Sequence, residues 1–173
     1  LKIIGVTGTN GKTTTTQIID YIIKFSRRTS SSLGTLGFNT PSGIISTGFT
    51  TPESIELQQI LKTISDGGIE YVPMEISSHA IELYRVNNVD VDIAIFTNLG
   101  YDHLDFHKTQ ENYFNSKLKL FTNLKRKSIA ILNYDDERTE KITKKIICNF
   151  DTYGFNKKAN LYVKKYSLGI DKT

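Results

Sequence analysis

One cysteine, three prolines, one methionine and no tryptophan stand among 173 residues, and each scarcity narrows what the chain can be. A lone thiol, Cys148, cannot close an internal disulfide, which suits a reducing compartment rather than a secreted scaffold. No apolar run approaches the length of a bilayer-spanning helix, and no signal-peptide pattern opens the sequence. The reading is a soluble, cytoplasmic protein with no membrane partner, taken as a monomer. Charge of one sign is also in short supply. The net charge is +4, and residues 151–173, with five lysines against two aspartates, hold a surplus of three of it. That leaves no clustered basic face, and nucleic acid is not expected as a partner. Internal repeats and low-complexity segments are absent too. An apolar fraction of 38% and a charged fraction of 23% are ordinary for a globular protein of this length. One well-buried domain fits, and two would be cramped.

What the chain does have is concentrated at its start. The β-branched run Lys2-Ile3-Ile4-Gly5-Val6-Thr7 is followed by Gly8-Thr9-Asn10-Gly11-Lys12-Thr13 and then by an amphipathic stretch from Thr14 to Phe25. A buried strand, a glycine turn and a helix in that order aim successive backbone N–H groups and a helix N-terminus at one phosphate. Lys12 is placed to reach the β- and γ-phosphates, and the Thr13 hydroxyl to sit on Mg²⁺. Val6 occupies the position where the common P-loop pattern has its first glycine, so the motif is the compact form. A GTP-dependent switch would also use such a loop. Its Asn-Lys-x-Asp guanine motif is missing, because Asn156-Lys157-Lys158-Ala159 fails at the aspartate.

Further along, the periodicity predicts a helix over 14–25 with Ile18, Ile19, Tyr21, Ile22 and Phe25 on one broad side and Gln17, Asp20 and Lys24 opposite. Short strands and turns over an exposed edge are expected in the Ser/Thr/Gly-rich stretch 27–49. A helix capped by Thr51, with Pro52 at its first position, should run to about Ser65. Strand 71–76 contains Pro73, which is awkward in a central strand and calls for a bulge or an unpaired donor. A short helix over 79–84, a strand over 91–96, a helix over 110–123, a strand over 128–132 and a helix near 135–147 follow, with weaker strands around 150–153 and 160–166. Alternation of this kind means an α/β fold, a mostly parallel sheet flanked by helices on both faces.

Ligands in such folds bind beyond the carboxyl ends of the strands, and the polar residues gather there. Glu75 ends one strand and reads as the acidic partner of Thr13 in a magnesium site, with helix capping as its plainer alternative. His103 lies in a turn between Asp102 and Asp105 at another strand's end and reads as a ligand or metal residue. His107 reads as a polar residue at a helix start, and His79 as a group orienting the Ser77-Ser78 turn. On the wheel of helix 110–124, Lys117 falls inside the apolar stripe of Tyr113, Phe114, Leu118, Leu120, Phe121 and Leu124, while Lys119 points away. A lysine there must snorkel, find an anion or lose its charge. The sequence alone puts snorkelling first. A neutral amine taking up CO₂ to form a metal-binding carbamate is the alternative.

With these motifs assembled, the chain resembles the central ATP-binding domain of the Mur ligases, the ATP-dependent amide-forming enzymes of peptidoglycan synthesis. The likeness runs from Gly5 to about Gly154. Its carriers are Gly-Val-Thr-Gly-Thr-Asn-Gly-Lys-Thr-Thr-Thr-Thr (5–16), Thr-Thr-Pro-Glu (50–53), Met-Glu-Ile-Ser-Ser-His-Ala (74–80), Phe-Thr-Asn-Leu (96–99), Asp-His-Leu-Asp-Phe-His (102–107) and Leu-Asn-Tyr-Asp-Asp-Glu (132–137). Within the family it is most similar to the branch that adds the third stem-peptide residue, a diamino acid (meso-diaminopimelate or lysine), to UDP-MurNAc-L-Ala-D-Glu. The resemblance implies ATP and Mg²⁺ as cofactors and an acyl phosphate on the D-Glu carboxylate. It implies that Gly8, Thr9, Asn10, Gly11, Lys12, Thr13 and Thr14 bind the nucleotide phosphates, with Asn133 and the neighbouring aspartates, Asp136 among them, by the adenine. Thr50, Thr51, Ser77 and Arg85 would hold the dipeptide substrate. Thr13 and Glu75 would ligate one magnesium ion, and Glu75, His103 and Lys117, which matches the family's carbamylated lysine, a second. Lys12, His103 and Lys117 are then the catalytic set. Leu83, Gly100 and Tyr101 depart from the family pattern and receive no role.

The folylpolyglutamate synthetases share the loop but not the Ser-Ser-His block. The resemblance further implies a preceding UDP-binding domain and a following amino-acid-binding domain. Neither is in the chain, which then reads as a central domain incomplete at its C-terminal end. Such a piece is expected to bind nucleotide weakly and not to ligate.

Overall fold

The fold is described, over residues 1–40 and 43–167, from a computed structural model. Fifteen elements follow one another among the described residues. The chain opens with β1 (Lys2–Thr7) and α1 (Lys12–Phe25). The short strands β2 (Leu33–Gly34), β3 (Gly37–Thr40) and β4 (Gly43–Ile45) lead to α2 (Ser54–Asp66). Next come β5 (Tyr71–Glu75), α3 (Ser78–Glu82), β6 (Ile93–Phe96), α4 (Leu104–His107) and α5 (Gln110–Thr122). The last elements are β7 (Ile129–Asn133), α6 (Thr139–Thr143), β8 (Asn149–Gly154) and β9 (Leu161–Tyr162).

Nine strands form one sheet in the order β4-β3-β2-β5-β1-β6-β7-β8-β9. Among the described residues the β2–β3 and β3–β4 pairings are antiparallel and the other strand pairings are parallel. Right-handed crossovers then put α1, which steps from β1 toward β2, on one face. The steps through α2, α3–α5 and α6 run the other way and lie on the opposite face. The main core lies on that second face. Leu57, Ile60, Leu61 and Ile64 of α2 and Phe114, Leu118, Leu120 and Phe121 of α5 pack there against Val72, Met74, Ala94, Phe96, Ala130 and Leu132. The parallel order brings the carboxyl ends of β5, β1, β6 and β7 to one rim.

Three expectations need correction. First, the apolar side of α1 is the exposed one: Ile18, Tyr21, Ile22 and Phe25 are 53%, 69%, 56% and 80% accessible, whereas Thr16 and Asp20 are buried. The glycine turn fixes the rotation of this helix. Gly11 at φ 82° starts it, and Thr13 and Gln17 bond to Glu75 and Ser32 outside the helix, so polar groups face the sheet. Second, α2 starts at Ser54 with no side-chain cap, because Thr51 is buried and bonded elsewhere. Third, the helix foreseen near 135–147 is a single turn, Thr139–Thr143. Asp135 and Asp136 accept backbone N–H groups in the preceding turn instead of opening a helix.

Pro73 causes no bulge. The partners Ser30–Tyr71 and Leu33–Met74 keep equal spacing, and pairing lapses only between them, where proline has no N–H to give. Among the described residues no helix is long and apolar enough to cross a membrane.

Candidate functional site

Two glycines with positive φ shape the loop after β1, Gly8 at 151° and Gly11 at 82°. A Cβ on Gly8 would lie 1.9 Å from Thr97 Oγ1 and 3.0 Å from the Asn98 nitrogen, so glycine is needed for space as well as for torsion. The crowding comes from a clamp at the end of β6. Thr97 Oγ1 and Asn98 Nδ2 donate to the Asn10 carbonyl at 2.7 and 3.2 Å, and the Asn10 N–H donates to Asn98 Oδ1 at 3.0 Å. The Thr9 N–H donates to the Asn98 carbonyl at 2.9 Å, and the Gly100 N–H to Thr9 Oγ1 at 2.8 Å. Gly8→Ala is expected to destabilise the chain by about 2–4 kcal/mol, from overpacking and strain together. Chemical denaturation of the purified chain measures this.

Lys12 Nζ folds back onto the Gly8 and Thr9 carbonyls, at 3.0 and 2.8 Å. Burial lowers its pKa, against the upward pull of Glu75 and Asp102. Thr14 is exposed at the outer start of α1.

Across the loop, Thr13 Oγ1 donates to Glu75 Oε2 at 2.9 Å. Glu75 is 1% accessible, and its carboxylate also accepts from the Thr35 N–H at 2.8 Å and the Thr35 hydroxyl at 3.3 Å. The capping alternative for Glu75 fails, since the cap of α3 is Ser77, whose Oγ accepts from the Ala80 N–H at 3.1 Å. A hydroxyl and a buried carboxylate sharing one hydrogen bond are a hard, oxygen-only donor pair, and that chemistry fits magnesium. Among the described residues no group of three or more His, Cys, Asp or Glu could hold a metal by itself.

Lys117 does not snorkel. It is 1% accessible, with Nζ 3.0 Å from the Gly8 carbonyl and 4.3 Å from the centroid of the Tyr113 ring. Desolvation first, and the nearby Lys12 charge second, lower its pKa to about 7, so a substantial share of the amine is the neutral base near physiological pH. Lys119 points outward, as its place on the wheel required, and pairs with Glu82 at 2.7 Å.

His103 sits in the left-handed region at φ 52° and its imidazole pairs with Asp102 at 3.3 Å. It lies edge-on to His79 and Tyr113, at 4.7 and 6.0 Å between ring centroids, which brings it to the same rim. Glu75 bonds to Thr13 and Thr35 and not to His103. The roles foreseen for the other two histidines are exchanged. His107 is buried and its Nε2 lies 2.9 Å from Ser78 Oγ, so His107 holds that turn, while His79 packs on Phe106. Burial lowers the pKa of both.

Thr51 centres the group predicted to hold substrate. Its hydroxyl donates to the Glu75 carbonyl at 2.9 Å and accepts from the Ser77 N–H at 3.1 Å. Arg85 Nη1 donates to the Thr51 carbonyl at 3.2 Å, with the guanidinium also on Glu53 and 5.0 Å above Phe49. Thr50 Oγ1 meets Thr35 Oγ1 at 3.1 Å.

Asn133 and Asp136 are occupied as braces. Asn133 Nδ2 donates to the Thr97 carbonyl at 2.7 Å, and Asp136 accepts from the Leu99 and Arg138 N–H groups at 2.7 and 2.9 Å. They hold the segment that clamps the glycine loop. Residues missed from sequence are Thr97, Tyr113 and, above all, Thr35. The signal for the last was the Gly34-Thr35-Leu36-Gly37 turn inside a stretch read only as edge.

Strand, left-handed glycine turn, helix and a buried carboxylate on the neighbouring strand define a P-loop α/β domain with its polar groups on one rim. The chain belongs to the Mur ligase family, residues 6–172 matching the Mur ligase middle domain. It is 47% identical over 174 residues to the UDP-N-acetylmuramoyl-L-alanyl-D-glutamate–2,6-diaminopimelate ligase of Clostridium botulinum, an alignment taking in 99% of this chain and 35% of that protein. A solved structure of a ligase with that name superposes with a TM-score of 0.85 at 32% identity, over 95% of this chain and 34% of that one. MurF from Acinetobacter baumannii, at 20% identity and a TM-score of 0.73 over 97% of this chain and 34% of that one, shares the fold. The chain thus spans about a third of the length of the curated relatives it matches.

Proposed function

We propose that this chain is the middle, ATP-binding domain of a cytoplasmic ligase that joins a diamino acid to the D-Glu carboxylate of UDP-MurNAc-L-Ala-D-Glu. The names of its relatives favour 2,6-diaminopimelate as that amino acid. In this reading the full-length enzyme adds a uridine-gripping domain before it and an amino-acid-binding domain after it. The share of the relatives' length it spans and the exposed apolar stripe on α1 support that.

The observation that carries the proposal is Lys117, a wholly buried lysine on a P-loop carbonyl at the rim that also holds Glu75. A nucleotide switch has no use for such a group. A ligase that must bring a carboxylate to the γ-phosphate does. The neutral amine adds to CO₂, forming a C–N bond and releasing one proton, and yields an anion beside the phosphates.

Lys12 leaves the Gly8 and Thr9 carbonyls for the phosphate oxygens, and residues 8–14 surround the phosphates. Asn133 and Asp136 brace the adenine side. Thr50, Thr51, Ser77 and Arg85 orient the dipeptide. Thr13 and Glu75 would hold one magnesium ion, and Glu75, His103 and the Lys117 carbamate a second, and the ions would supply charge neutralisation. Phosphoryl transfer to the D-Glu carboxylate gives the acyl phosphate and ADP, and attack of the amine on the acyl carbon expels phosphate. Positioning and electrostatics do most of this work.

The test is phosphate release from ATP by the full-length protein, expected only when UDP-MurNAc-L-Ala-D-Glu and diaminopimelate are both present. Turnover of dihydropteroate and glutamate instead would move the chain to the folylpolyglutamate synthetases. Ligation by residues 1–173 alone would remove the need for the flanking domains.

A further inference from the structure

The β2–β3 turn was expected to be plain edge, yet it supplies two of the three donors on the Glu75 carboxylate. The Thr35 N–H bonds to Oε1 at 2.8 Å, and the Thr35 hydroxyl shares Oε2 with Thr13, at 3.3 and 2.9 Å. A carboxylate 1% accessible is costly unless such donors meet it. The preceding residue has to be glycine for the carboxylate to reach the turn: a Cβ on Gly34 would lie 2.2 Å from Oε1. On its other side the Thr35 hydroxyl meets Thr50 Oγ1 at 3.1 Å, in the loop that leads to Thr51.

We propose that the Gly34-Thr35 turn is the third wall of the cation site, with Thr35 a positioning residue that aims Glu75 at Thr13 and ties both to the substrate loop at Thr50. The proposal rests on the nucleotide-and-magnesium reading above and extends it to a residue outside the P-loop. The backbone N–H anchors one carboxylate oxygen whatever the side chain. The hydroxyl holds the other, the oxygen that Thr13 also uses. Thr35 is exposed, so Thr35→Val swaps the hydroxyl for a methyl of the same shape without opening a cavity.

The experiment measures binding of a non-hydrolysable ATP analogue to the full-length ligase by calorimetry, with Mg²⁺ and again in EDTA, and Mn²⁺ affinity of the complex by electron paramagnetic resonance. Thermal midpoints check folding. Thr35→Val should weaken metal-dependent binding about tenfold, the usual loss when a partner of a metal ligand is removed. Binding in EDTA should stay within about twofold, because the phosphate contacts of the loop are untouched. Thr35→Ser restores the hydroxyl and should recover most of the loss. Gly34→Ala, which displaces the carboxylate itself, should lose more than Thr35→Val.

Equal metal dependence in Thr35→Val and the parent, or a Thr35→Ser variant as weak as Thr35→Val, overturns the proposal. So does full affinity in a folded Gly34→Ala. A parent enzyme with no metal-dependent nucleotide binding at all brings down the reading beneath it instead.

Discussion

On the proposed function, Lys117→Ala in the full-length protein is expected to abolish amide formation, a loss of at least about a thousandfold, with short-chain carboxylates such as acetate restoring part of it. The expectation follows from where the amine sits. Nζ reaches the Gly8 carbonyl and the Tyr113 ring, and among the described residues no carboxylate forms an ion pair with it, Asp102 acting only as a weaker, more distant pull. The site therefore favours the neutral amine, and a carbamate formed from it has no substitute in alanine except an anion diffusing into the vacated space. An unchanged rate in Lys117→Ala would return the residue to a packing role.

Stability against pH gives an independent readout. The Lys117 pKa is about 7 in the fold against 10.5 for an ordinary lysine. Between those values the unfolded chain binds a proton that the folded chain does not, so stability rises with pH across the window, and below pH 7 the penalty is present in full. Lys117→Met, which replaces the amine with an apolar side chain of similar length, should flatten that rise by an amount on the order of a few kcal/mol. Lys12 has the same sign, because burial also lowers its pKa. The comparison of parent and variant by urea denaturation at pH 7 and pH 9 therefore isolates Lys117.

The P-loop and the parallel sheet were legible because each rests on a local signal: a glycine turn between strand and helix, and β-branched runs at the right spacing. Lys117 was legible as a lysine inside an apolar stripe, but the stripe alone favoured snorkelling, and only the packing keeps the amine buried on the Gly8 carbonyl. What escaped the sequence depends on contacts between distant segments. The orientation of α1 is set by Gly11 and by Glu75, far along the chain, so the hydrophobic period pointed to the wrong face. Thr51 looked like a helix cap because its neighbours Pro52 and Glu53 suit one. The Glu75 carbonyl and the Ser77 N–H compete for its hydroxyl and win. His79 and His107 flank one turn on adjacent segments, and only the packing decides that His107 takes Ser78. The acidic residues at 135–137 suit a helix N-terminus by charge, yet the N–H groups of Leu99, Phe155 and Asn156 claim two of their carboxylates. For Thr35 the glycine-flanked turn was visible but not its use, because its value lies in meeting Glu75, 40 residues on.

Glu75→Gln is expected to leave the fold intact and to lower kcat/KM by about a hundred- to a thousandfold, with added Mg²⁺ unable to restore it. The amide keeps an oxygen for the Thr35 N–H and turns its NH₂ toward the Thr13 and Thr35 hydroxyls, which can accept as readily as they donate. Geometry therefore survives while the charge goes. That separates the two roles a buried strand-end carboxylate could have, since capping already belongs to Ser77 and a brace would tolerate the amide.

Lys12 supplies a second signature. Its pKa is lowered by burial and raised by Glu75, so removing the anion lets burial act with less opposition and lowers it further. The protonated form is the one that binds phosphate, so the alkaline limb of the kcat/KM profile should move to lower pH in Glu75→Gln. Steady-state rates across pH and Mg²⁺ concentration measure both effects. A variant that keeps the parent's rate, metal dependence and alkaline limb would leave Glu75 a structural brace, and the cation site would have to be sought elsewhere on the rim.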